Sequence, residues 1–496
     1  MRVTMILPAL TEATDGIARS IKYSLFPPLG LATLAGYLAA EDDVQILDEH
    51  VQRLDLENDR PDLVVIQVYV TSARRAYRIA DSYRARGVHV ALGGLHVTAL
   101  PDEAAPHADT VFLGPGEDTW PVFLQDFRRG RPLSRYASVA RSLHGVPPVR
   151  RDLIRRNLYL APNSIVVSRG CPYHCDFCYK DAFYAGGRSY YTQRVDAALA
   201  EIERLPGRHL FFLDDHLFAD RRFAVALMDG MRGLGRVWQA AATVRSVLDG
   251  DLLERAARSG LRSLFVGFET VDQVRLAAQR KAHNLDADYD QAVRRIHEVG
   301  AMVNASFVFG LDGESPDVFT RTVDWALAGG IETATFHILT PYPGTRLHER
   351  MAAEGRILHR EWDRYDTRHV VHTPQGMTVA QLEEGYRHAY RDFYRWGSIW
   401  RAAATKPRRG DRLRHLTYTG AWKKLEPAWD LLIRSRHVLA ALPLLESTLT
   451  AFGTRPTARR LRVTGDVAGA SGEAAREPER AAGLAASAII EQLPEE

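Results

Sequence analysis

All three cysteines of this 496-residue chain fall within eight positions. They are Cys171, Cys175 and Cys178 in the segment GCPYHCDFCYK, and their spacing is C-x3-C-x2-C on a short loop. Thiolates at this spacing can converge on one soft metal centre, and three thiolates leave a four-iron cluster with one iron that the protein does not ligate. These residues alone also leave open a Cys3His zinc site that uses His174.

The composition is that of a folded globular protein without a disulfide framework. Hydrophobic residues make up 46% of the chain and charged residues 25%, and the formal net charge is only +3. This balance gives no argument for nucleic acid binding. Because no cysteine lies outside the cluster, we expect a reducing, cytoplasmic environment. The sequence shows neither a secretory signal nor a run of about 20 apolar residues that could span a bilayer.

The first 135 residues alternate short apolar segments with helical patterns. Nearly continuous apolar strands are typical of a sheet covered on both faces, and the alternation of strands and helices indicates parallel pairing. We therefore predict a doubly wound, Rossmann-like α/β domain that binds its ligand at the carboxyl ends of the strands. The predicted strands are 2–8, 43–48, 62–70, 89–94 and 110–116.

A second series of strands and helices follows a predicted linker, residues 136–160. Six βα units over residues 161–355 fit a partial (β/α)6 barrel, whose chemistry belongs at the carboxyl ends of the strands. The cysteine cluster comes directly after the first of these strands. The predicted strands are 164–170, 209–215, 237–244, 263–270, 302–310 and 333–341.

Beyond residue 355 the pattern becomes helical. We predict a helical extension over 356–465 and a disordered Ala/Glu/Gly-rich tail over 466–496. Segment 401–436 holds ten Lys or Arg against three Asp or Glu, which predicts a solvated face, with contact to anionic lipid headgroups as the alternative. An aromatic cluster is predicted to be a core stripe, with the wall of a substrate pocket as the alternative. Its members are Tyr386, Tyr390, Phe393, Tyr394, Trp396 and Trp400.

The cysteine motif and the barrel pattern together resemble the radical SAM superfamily, whose signature is C-x3-C-x2-C after the first strand of a partial barrel. Phe177 is the aromatic residue that this family commonly has before the last cysteine. The segments FFLDDHLF, FVGFET, FVFGLDGES and TPYPGT extend the resemblance over about 164–345. A zinc site would not require this downstream series, so the resemblance favours an iron–sulfur cluster.

The resemblance implies a [4Fe–4S] cluster whose open iron chelates S-adenosylmethionine. One-electron reduction, by a donor such as flavodoxin or ferredoxin, would cleave this cofactor to a 5′-deoxyadenosyl radical that abstracts hydrogen from an unactivated carbon. Phe177 would lie near the adenine, and Asp214, Asp215, Arg245 and Glu269 are candidates for holding the cofactor. As structural alternatives, the two aspartates could cap a helix and Arg245 could pair with a surface carboxylate, whereas a lone buried Glu269 would be costly.

The N-terminal domain lacks G-x-G-x-x-G after its first strand, so a dinucleotide is poorly supported. Its segments FPPLGLATLAGYL, LGGLHVTALPDEA and VFLGPGEDTWPVF resemble the cobalamin-binding domain of B12-dependent radical SAM proteins. The resemblance implies a corrin between the two domains. The residues implied to be near it are Pro28, Leu29, Thr71, Gly93, Gly94, His96, Gly114, Gly116 and Glu117.

One segment departs from the pattern of other B12-binding proteins, which carry D-x-H-x-x-G after the first strand with the histidine on cobalt. Here the corresponding loop, ILPALTEATDG, has no histidine. We therefore expect no histidine ligand to cobalt. His50, in the similar segment DEHVQR, is expected at the surface, and His96 is expected to bond to backbone rather than to cobalt.

The whole pattern resembles the branch of B12 radical SAM proteins that includes hopanoid and bacteriochlorophyll methylases. It implies a methyltransferase that moves a methyl group from methylcobalamin to a carbon radical, with a second S-adenosylmethionine restoring the methyl group. The substrate would be a small molecule such as a lipid, an isoprenoid or a natural-product intermediate. Two alternatives stay open: oxidative cyclisation or rearrangement with the same cofactors, and a non-catalytic cobalamin or zinc module.

Overall fold

The computed structural model describes residues 1–10, 25–272, 284 and 287–424. For residues 421–424 it describes only the backbone. The predicted tail over 466–496 lies outside the described residues, as do most of the loop after the first strand and the apolar C-terminal segment 428–452.

The N-terminal domain is built on a six-stranded parallel sheet with the order β2-β1-β3-β4-β5-β6. The sheet extends two residues past the predicted boundary, because Arg135 pairs with Val111 in a short sixth strand. Three residues are too few to show a period in the sequence, so this strand was missed. The strands are β1 (Arg2–Leu7), β2 (Asp43–Asp48), β3 (Leu63–Gln67), β4 (His89–Gly93), β5 (Thr110–Leu113) and β6 (Arg135–Ala137).

Helices cover both faces of this sheet. Successive residues of a strand point to opposite faces, so Val64 packs against the α2 side while Val65 packs against α1 and α5. The doubly wound arrangement is therefore the predicted one. The helices are α1 (Leu29–Ala35), α2 (Ala73–Arg84), α3 (Leu95–Ala99), α4 (Pro101–Ala104) and α5 (Trp120–Arg128).

The second sheet has six parallel strands in the order β7-β10-β11-β12-β13-β14. Neighbours in the chain are neighbours in space, as in a βα barrel, and within the described ranges β7 and β14 do not pair, so the barrel is partial. Its strands are β7 (Ser164–Ile165), β10 (His209–Phe212), β11 (Val237–Ala242), β12 (Leu261–Glu269), β13 (Met302–Phe309) and β14 (Thr333–Ile338).

The outer face of this sheet is covered by helices, and the two layers form one continuous hydrophobic core. These helices are α7 (Val195–Arg204), α8 (Arg221–Met231), α9 (Val244–Leu248), α10 (Leu252–Arg258), α11 (Tyr289–Glu298) and α12 (Val318–Ala328). Two further helices, α6 (Lys180–Phe183) and α13 (Arg346–Ala353), lie outside this core, and Leu347 and Met351 of α13 pack in a separate cluster with Val308 and Leu339.

The strand predicted over 164–170 is interrupted in the structure. Its first part is β7, and its last part, β8 (Ser168–Gly170), pairs antiparallel with β9 (Tyr190–Thr192). The break arises because the Asp214 carboxylate accepts from the amides of Val167 and Ser168. A side chain therefore replaces a neighbouring strand at this point.

The C-terminal extension closes the open edge of β14 with α14 (Val379–Phe393), α15 (Trp396–Ala404) and α16 (Arg409–Lys424). The core-stripe interpretation fits Phe393 and Tyr394, which are buried, and Tyr386 and Tyr390, which pack against the same core. Trp396 and Trp400 do not fit the core-stripe interpretation, because they are 54% and 61% exposed.

The basic segment is partly built into the fold rather than wholly solvated. Lys406 is buried, and its Nζ lies 2.5 Å from Glu332 and 2.9 Å from His297. Across the described ranges, no helix has both the length and the apolar character needed to cross a bilayer.

Candidate functional site

The cysteine loop lies directly after β8, on the side of the barrel where its parallel strands end. Cys171, Cys175 and Cys178 are partly exposed, and none of them is in a disulfide. His174 points outward, with 59% of its side chain exposed and its Nδ1 2.8 Å from Asp181. No group of three or more His, Cys, Asp or Glu side chains in the described part of the chain is arranged to hold a single ion. Because His174 is exposed and paired with Asp181, the loop offers three thiols without a histidine, which fits a cluster with three thiolate ligands better than a Cys3His zinc site.

Asp214 holds the chain where it enters the cysteine loop. Its Oδ1 accepts from the amides of Val167 (3.1 Å) and Ser168 (2.5 Å) and from the Ser168 hydroxyl (2.6 Å). Burial raises the pKa of Asp214 to about 7. The predicted helix cap is not formed by this residue; Asp220 caps α8 instead, through the amide of Phe223. The structure thus gives Asp214 a role in shaping the loop.

Asp215 contacts both ends of the cysteine loop. Its Oδ2 accepts from the amide of Gly170 at 3.1 Å, and its Oδ1 lies 3.3 Å from Nζ of Lys180. Burial disfavours the charged lysine, but the negative charges of Cys178 and Asp215 hold the Lys180 pKa well above its usual range. Sequence reasoning missed Lys180, because a lysine after a cysteine motif carries no signal of its own.

Arg245 is exposed at the start of α9, within electrostatic range of Tyr173 in the cysteine loop. Burial raises the pKa of the Tyr173 phenol, and the charge of Arg245 opposes this rise. The ring of Tyr173 also stacks on His216, with centroids 5.7 Å apart. Among the described residues Arg245 forms no ion pair, so the surface-pair alternative is not what the structure shows.

Glu269 ends β12 in a strained backbone conformation. It has φ of +66°, and the β12–β13 register shifts between Gly267 and Glu269. Thr367, at +65°, is the other described non-glycine residue with positive φ, and its Oγ1 lies 3.1 Å from Nδ1 of His337. Burial lowers the pKa of His337, while the charge of Glu269 opposes this effect. Strain of this kind is concentrated at functional sites, which supports Glu269 as a candidate and adds His337, for which no sequence motif gave a signal.

Phe177 packs against apolar residues at the carboxyl ends of the last two barrel strands, including Val308, Leu311 and Leu339. Nearby, Glu314 is buried in the segment FVFGLDGES and accepts from the amides of Gly310 and Leu311. Burial raises the pKa of Glu314 to about 7. This segment therefore shapes the barrel mouth through backbone contacts.

A cavity of about 770 Å³ lies between the two sheets. One wall comes from the carboxyl edge of the N-terminal sheet, and the other comes from the β8 and cysteine-loop side of the barrel. Seven of the predicted corrin residues line it: Pro28, Leu29, Gly93, Gly94, Gly114, Gly116 and Glu117. From the barrel side the wall includes Arg169, Tyr179, Phe183, Tyr184 and Asp215. The position and size of the cavity fit a large flat ligand that must reach the cysteine loop.

Glycines keep the sheet-side wall of this cavity close to the strands. Gly94 has φ of +114°, and a Cβ there would lie 2.8 Å from the carbonyl oxygen of Val68. Gly114 has φ of +79°, and its Cβ would lie 3.2 Å from Cβ of Ser138. These positions need glycine for backbone conformation and for packing of the wall itself.

A partly buried ion pair links the two domains at the cavity. Nε of Arg169 lies 3.0 Å from Oε1 of Glu117. Arg169 directly precedes the glycine that leads into the cysteine loop, so Glu117 connects the N-terminal sheet to that loop. Sequence reasoning placed Glu117 near the corrin and did not find its partner.

Three expectations about other residues differ from the structure. Thr71 and His96 do not line the cavity. His96 is buried, and its Nε2 lies 2.9 Å from Glu103 rather than bonding to backbone. His50 is partly buried, with its Nδ1 2.8 Å from Asp48, instead of lying at the surface. The cavity wall does include one histidine that the sequence interpretation did not consider, His144 from the predicted linker.

Comparisons with known proteins agree with this architecture. Residues 17–124 match the B12 binding domain, and residues 165–326 match the radical SAM superfamily. The chain is 30% identical over 394 residues to bacteriochlorophyllide d C-12(1)-methyltransferase from Chlorobaculum tepidum, covering 77% of this chain and 85% of that protein. It is 24% identical to anaerobic magnesium-protoporphyrin IX monomethyl ester cyclase from Rubrivivax gelatinosus, covering 79% and 77%.

A solved structure shares the same fold. The radical S-adenosylmethionine methyltransferase TsrM from Kitasatospora setae, solved with cobalamin and a [4Fe-4S] cluster, aligns with a TM-score of 0.58 at 16% identity, over 88% of this chain and 99% of that one. The two domains, their order and the cysteine loop at their junction lead to one conclusion. The chain belongs to the family of B12-binding radical SAM enzymes that includes bacteriochlorophyllide d C-12(1)-methyltransferase.

Proposed function

We propose that this enzyme is a cobalamin-dependent methyltransferase that adds a methyl group to an unactivated carbon of a small molecule. One observation carries the proposal: the cavity at the carboxyl edge of the B12-binding sheet has the cysteine-loop side of the radical SAM barrel as its opposite wall. A methyl donor and a radical generator that serve one substrate must lie this close together, because carbon radicals react before they can diffuse. The methyltransferase relative supports the same function.

The chain offers a distinct set of residues for each group. Cys171, Cys175 and Cys178 would hold the cluster, and the glycine-lined cavity would hold cobalamin. Asp215, Arg245 and Glu269 stay the candidates for S-adenosylmethionine, with Phe177 beside its adenine. When bound, these groups supply a radical that takes hydrogen from the substrate and a methyl group to replace it.

The protein itself lines the cavity with aromatic side chains and fixes the two domains against each other. Phe26, from the N-terminal domain, contacts Phe211 of the barrel with ring centroids 4.6 Å apart. Phe183 and Tyr184 line the cavity beyond the cysteine loop. Apolar walls of this kind protect a radical from quenching, and the Arg169–Glu117 pair holds the loop against the sheet that faces it.

A second candidate function keeps both cofactors but forms no methyl product. The 24% identity to a magnesium-protoporphyrin monomethyl ester cyclase favours it, because that relative closes a ring instead. Product mass separates the two functions. A gain of one CH2 unit supports methyl transfer, whereas a loss of hydrogens or a gain of oxygen supports oxidative cyclisation.

We propose a lipid, isoprenoid or natural-product intermediate as substrate and a flavodoxin or ferredoxin as electron donor.

The first experiment is anaerobic purification followed by reconstitution with iron, sulfide and cobalamin. Ultraviolet–visible spectra and metal analysis should then show about four irons and one cobalt per chain, with corrin bands. Iron without cobalt would remove methyl transfer from cobalamin while keeping the radical chemistry. Zinc in place of iron would contradict both candidate functions.

A further inference from the structure

One carboxylate closes the cysteine loop. Asp215, three residues after the end of β10, accepts from the amide of Gly170 just before Cys171, and it pairs with Lys180 two residues after Cys178. The three ligand cysteines thus lie between the two points that Asp215 holds. This arrangement fixes a cation and an anion beside the loop, in addition to fixing its shape.

The Lys180–Asp215 pair is well shielded from solvent. The side chain of Lys180 is 18% exposed and that of Asp215 is 25% exposed. Shielding of this degree keeps the field of each charge strong at the neighbouring cysteines, whereas an exposed pair would be screened.

Two other cations near the loop, Arg350 and Arg169, are matched by carboxylate partners. Arg350 lies 2.9 Å from the buried Asp176, and Arg169 lies 3.0 Å from Glu117. These pairs connect the loop to α13 and to the N-terminal domain. The Lys180–Asp215 pair differs from them because it spans both ends of the loop: Asp215 contacts Gly170, which precedes Cys171, and Lys180 lies two residues after Cys178.

We infer that the Lys180–Asp215 pair sets the reduction potential of the cluster held by Cys171, Cys175 and Cys178. Reduction adds one negative charge to the cluster, so a nearby cation favours the reduced state and a nearby anion disfavours it. The two members of the pair therefore act in opposite directions, and their balance fixes the potential. This inference rests on the proposed function only in that the loop holds an iron–sulfur cluster.

The test is an anaerobic redox titration of the full, cluster-reconstituted chain without S-adenosylmethionine or cobalamin. The ratio of reduced to oxidised cluster is followed by electron paramagnetic resonance, with iron per chain measured for every sample. In K180M we expect this ratio, measured at a fixed solution potential, to fall about tenfold. This corresponds to a decrease of about 59 mV in the one-electron reduction potential. In D215N, whose amide oxygen can still accept from Gly170, the ratio should rise.

Three further variants complete the test. K180M/D215N should return close to the wild-type potential, because both charges are gone. K180R keeps the charge and should not shift the potential. R387M removes an exposed cation whose partner is Glu383 on α14, and it serves as the control for net charge.

Equal potentials in K180M, D215N and the wild type, or shifts of the same sign in both single variants, would overturn the inference. If K180M binds no cluster, the test rests on D215N alone. A reduction potential of D215N at or below that of the wild type would then overturn the inference. Failure of the wild-type chain itself to bind iron would instead reject the proposed function. The two failures are therefore distinguishable.

Discussion

At the level of single residues, the cysteine loop is shaped by neighbours that a motif does not contain. Asp214 holds its entrance through Val167 and Ser168, and Asp215 joins its two ends. The motif residue that could have been a fourth ligand, His174, is instead turned toward Asp181 and solvent. The loop thus presents three thiols and leaves the remaining coordination to something other than the protein.

The first prediction separates the cluster from a zinc site. Replacing Cys178 by Ala should reduce bound iron from about four per chain to a small remainder, because a cluster with two thiolate ligands is labile. H174A should keep its iron and its absorption spectrum, since His174 is exposed and contributes no ligand. Metal analysis after anaerobic reconstitution measures both. Loss of metal in H174A would support the zinc alternative.

The second prediction concerns Glu314, whose pKa burial raises to about 7. A carboxyl whose folded pKa exceeds its unfolded value contributes stability at low pH that is lost as the pH rises through about 4.5 to 7. E314Q imitates the protonated form, so its stability relative to the wild type should improve between pH 5 and pH 8, by on the order of 3 kcal/mol at most. Thermal unfolding of the reconstituted protein at the two pH values tests this. A difference that does not change with pH would contradict the assigned pKa.

At the level of elements, the C-terminal extension satisfies the exposed edge of the partial barrel. The phenol of Tyr394 donates to the carbonyl of Ala334 and accepts from its amide, and Tyr390 does the same for Phe336. The Thr419 hydroxyl donates to the backbone carbonyl of Glu332, and the Thr367 carbonyl accepts from the backbone amide of Ile338. Every second residue of the edge strand is thus paired by side chains or a loop in place of a seventh strand.

The third prediction tests this edge. Y394F and Y390F should each destabilise the protein by about 1–3 kcal/mol, because each leaves backbone groups of a covered strand without a partner. The matched control is Y191F in β9, which removes a buried hydroxyl that has no hydrogen-bond partner among the described residues and leaves the β14 hydrogen bonds in place. The midpoint of thermal unfolding compares the three variants. Equal effects of all three would show that the edge bonds carry no special weight.

At the level of the whole molecule, the functional space belongs to neither domain alone. The cavity needs the carboxyl edge of the N-terminal sheet and the cysteine-loop side of the barrel together, and the Arg169–Glu117 pair joins them at its wall. We therefore expect cobalamin binding to depend on the geometry of the sheet edge, while cluster binding depends on the loop.

The fourth prediction uses two glycines with positive φ. G94A should weaken cobalamin binding roughly tenfold or more, since its Cβ would lie 2.8 Å from the Val68 carbonyl at the cavity wall. G87A is the control, because Gly87 has φ of +76° but open space around it. Cobalt and iron per chain are measured after reconstitution, and iron should stay unchanged in both. An equal loss of cobalt in G87A would show that backbone strain in general, and not contact at the cavity wall, weakens cobalamin binding.

The two sheets, their order and the place of the cysteine loop could all be predicted from the sequence. Apolar strands separated by amphipathic helices leave few other arrangements, because each parallel strand must be covered on both faces. The prediction erred where pairing was local and short. Strand β6 has three residues, and the strand over 164–170 breaks because a carboxylate from a distant segment takes two of its amides.

The chemistry of the ligand set was determined by the sequence itself, because three thiols at C-x3-C-x2-C spacing and the absence of any other cysteine restrict what the loop can bind. Which side chains support that loop was decided only by the tertiary structure. Asp214 contacts Ser168 and Asp215 contacts Lys180, each across more than thirty residues of the chain, and His96 turns away from the cavity toward Glu103. Spacing along a chain fixes which groups can share a loop, but only packing decides which distant charges face it, since burial and hydrogen bonding select among many sterically allowed partners.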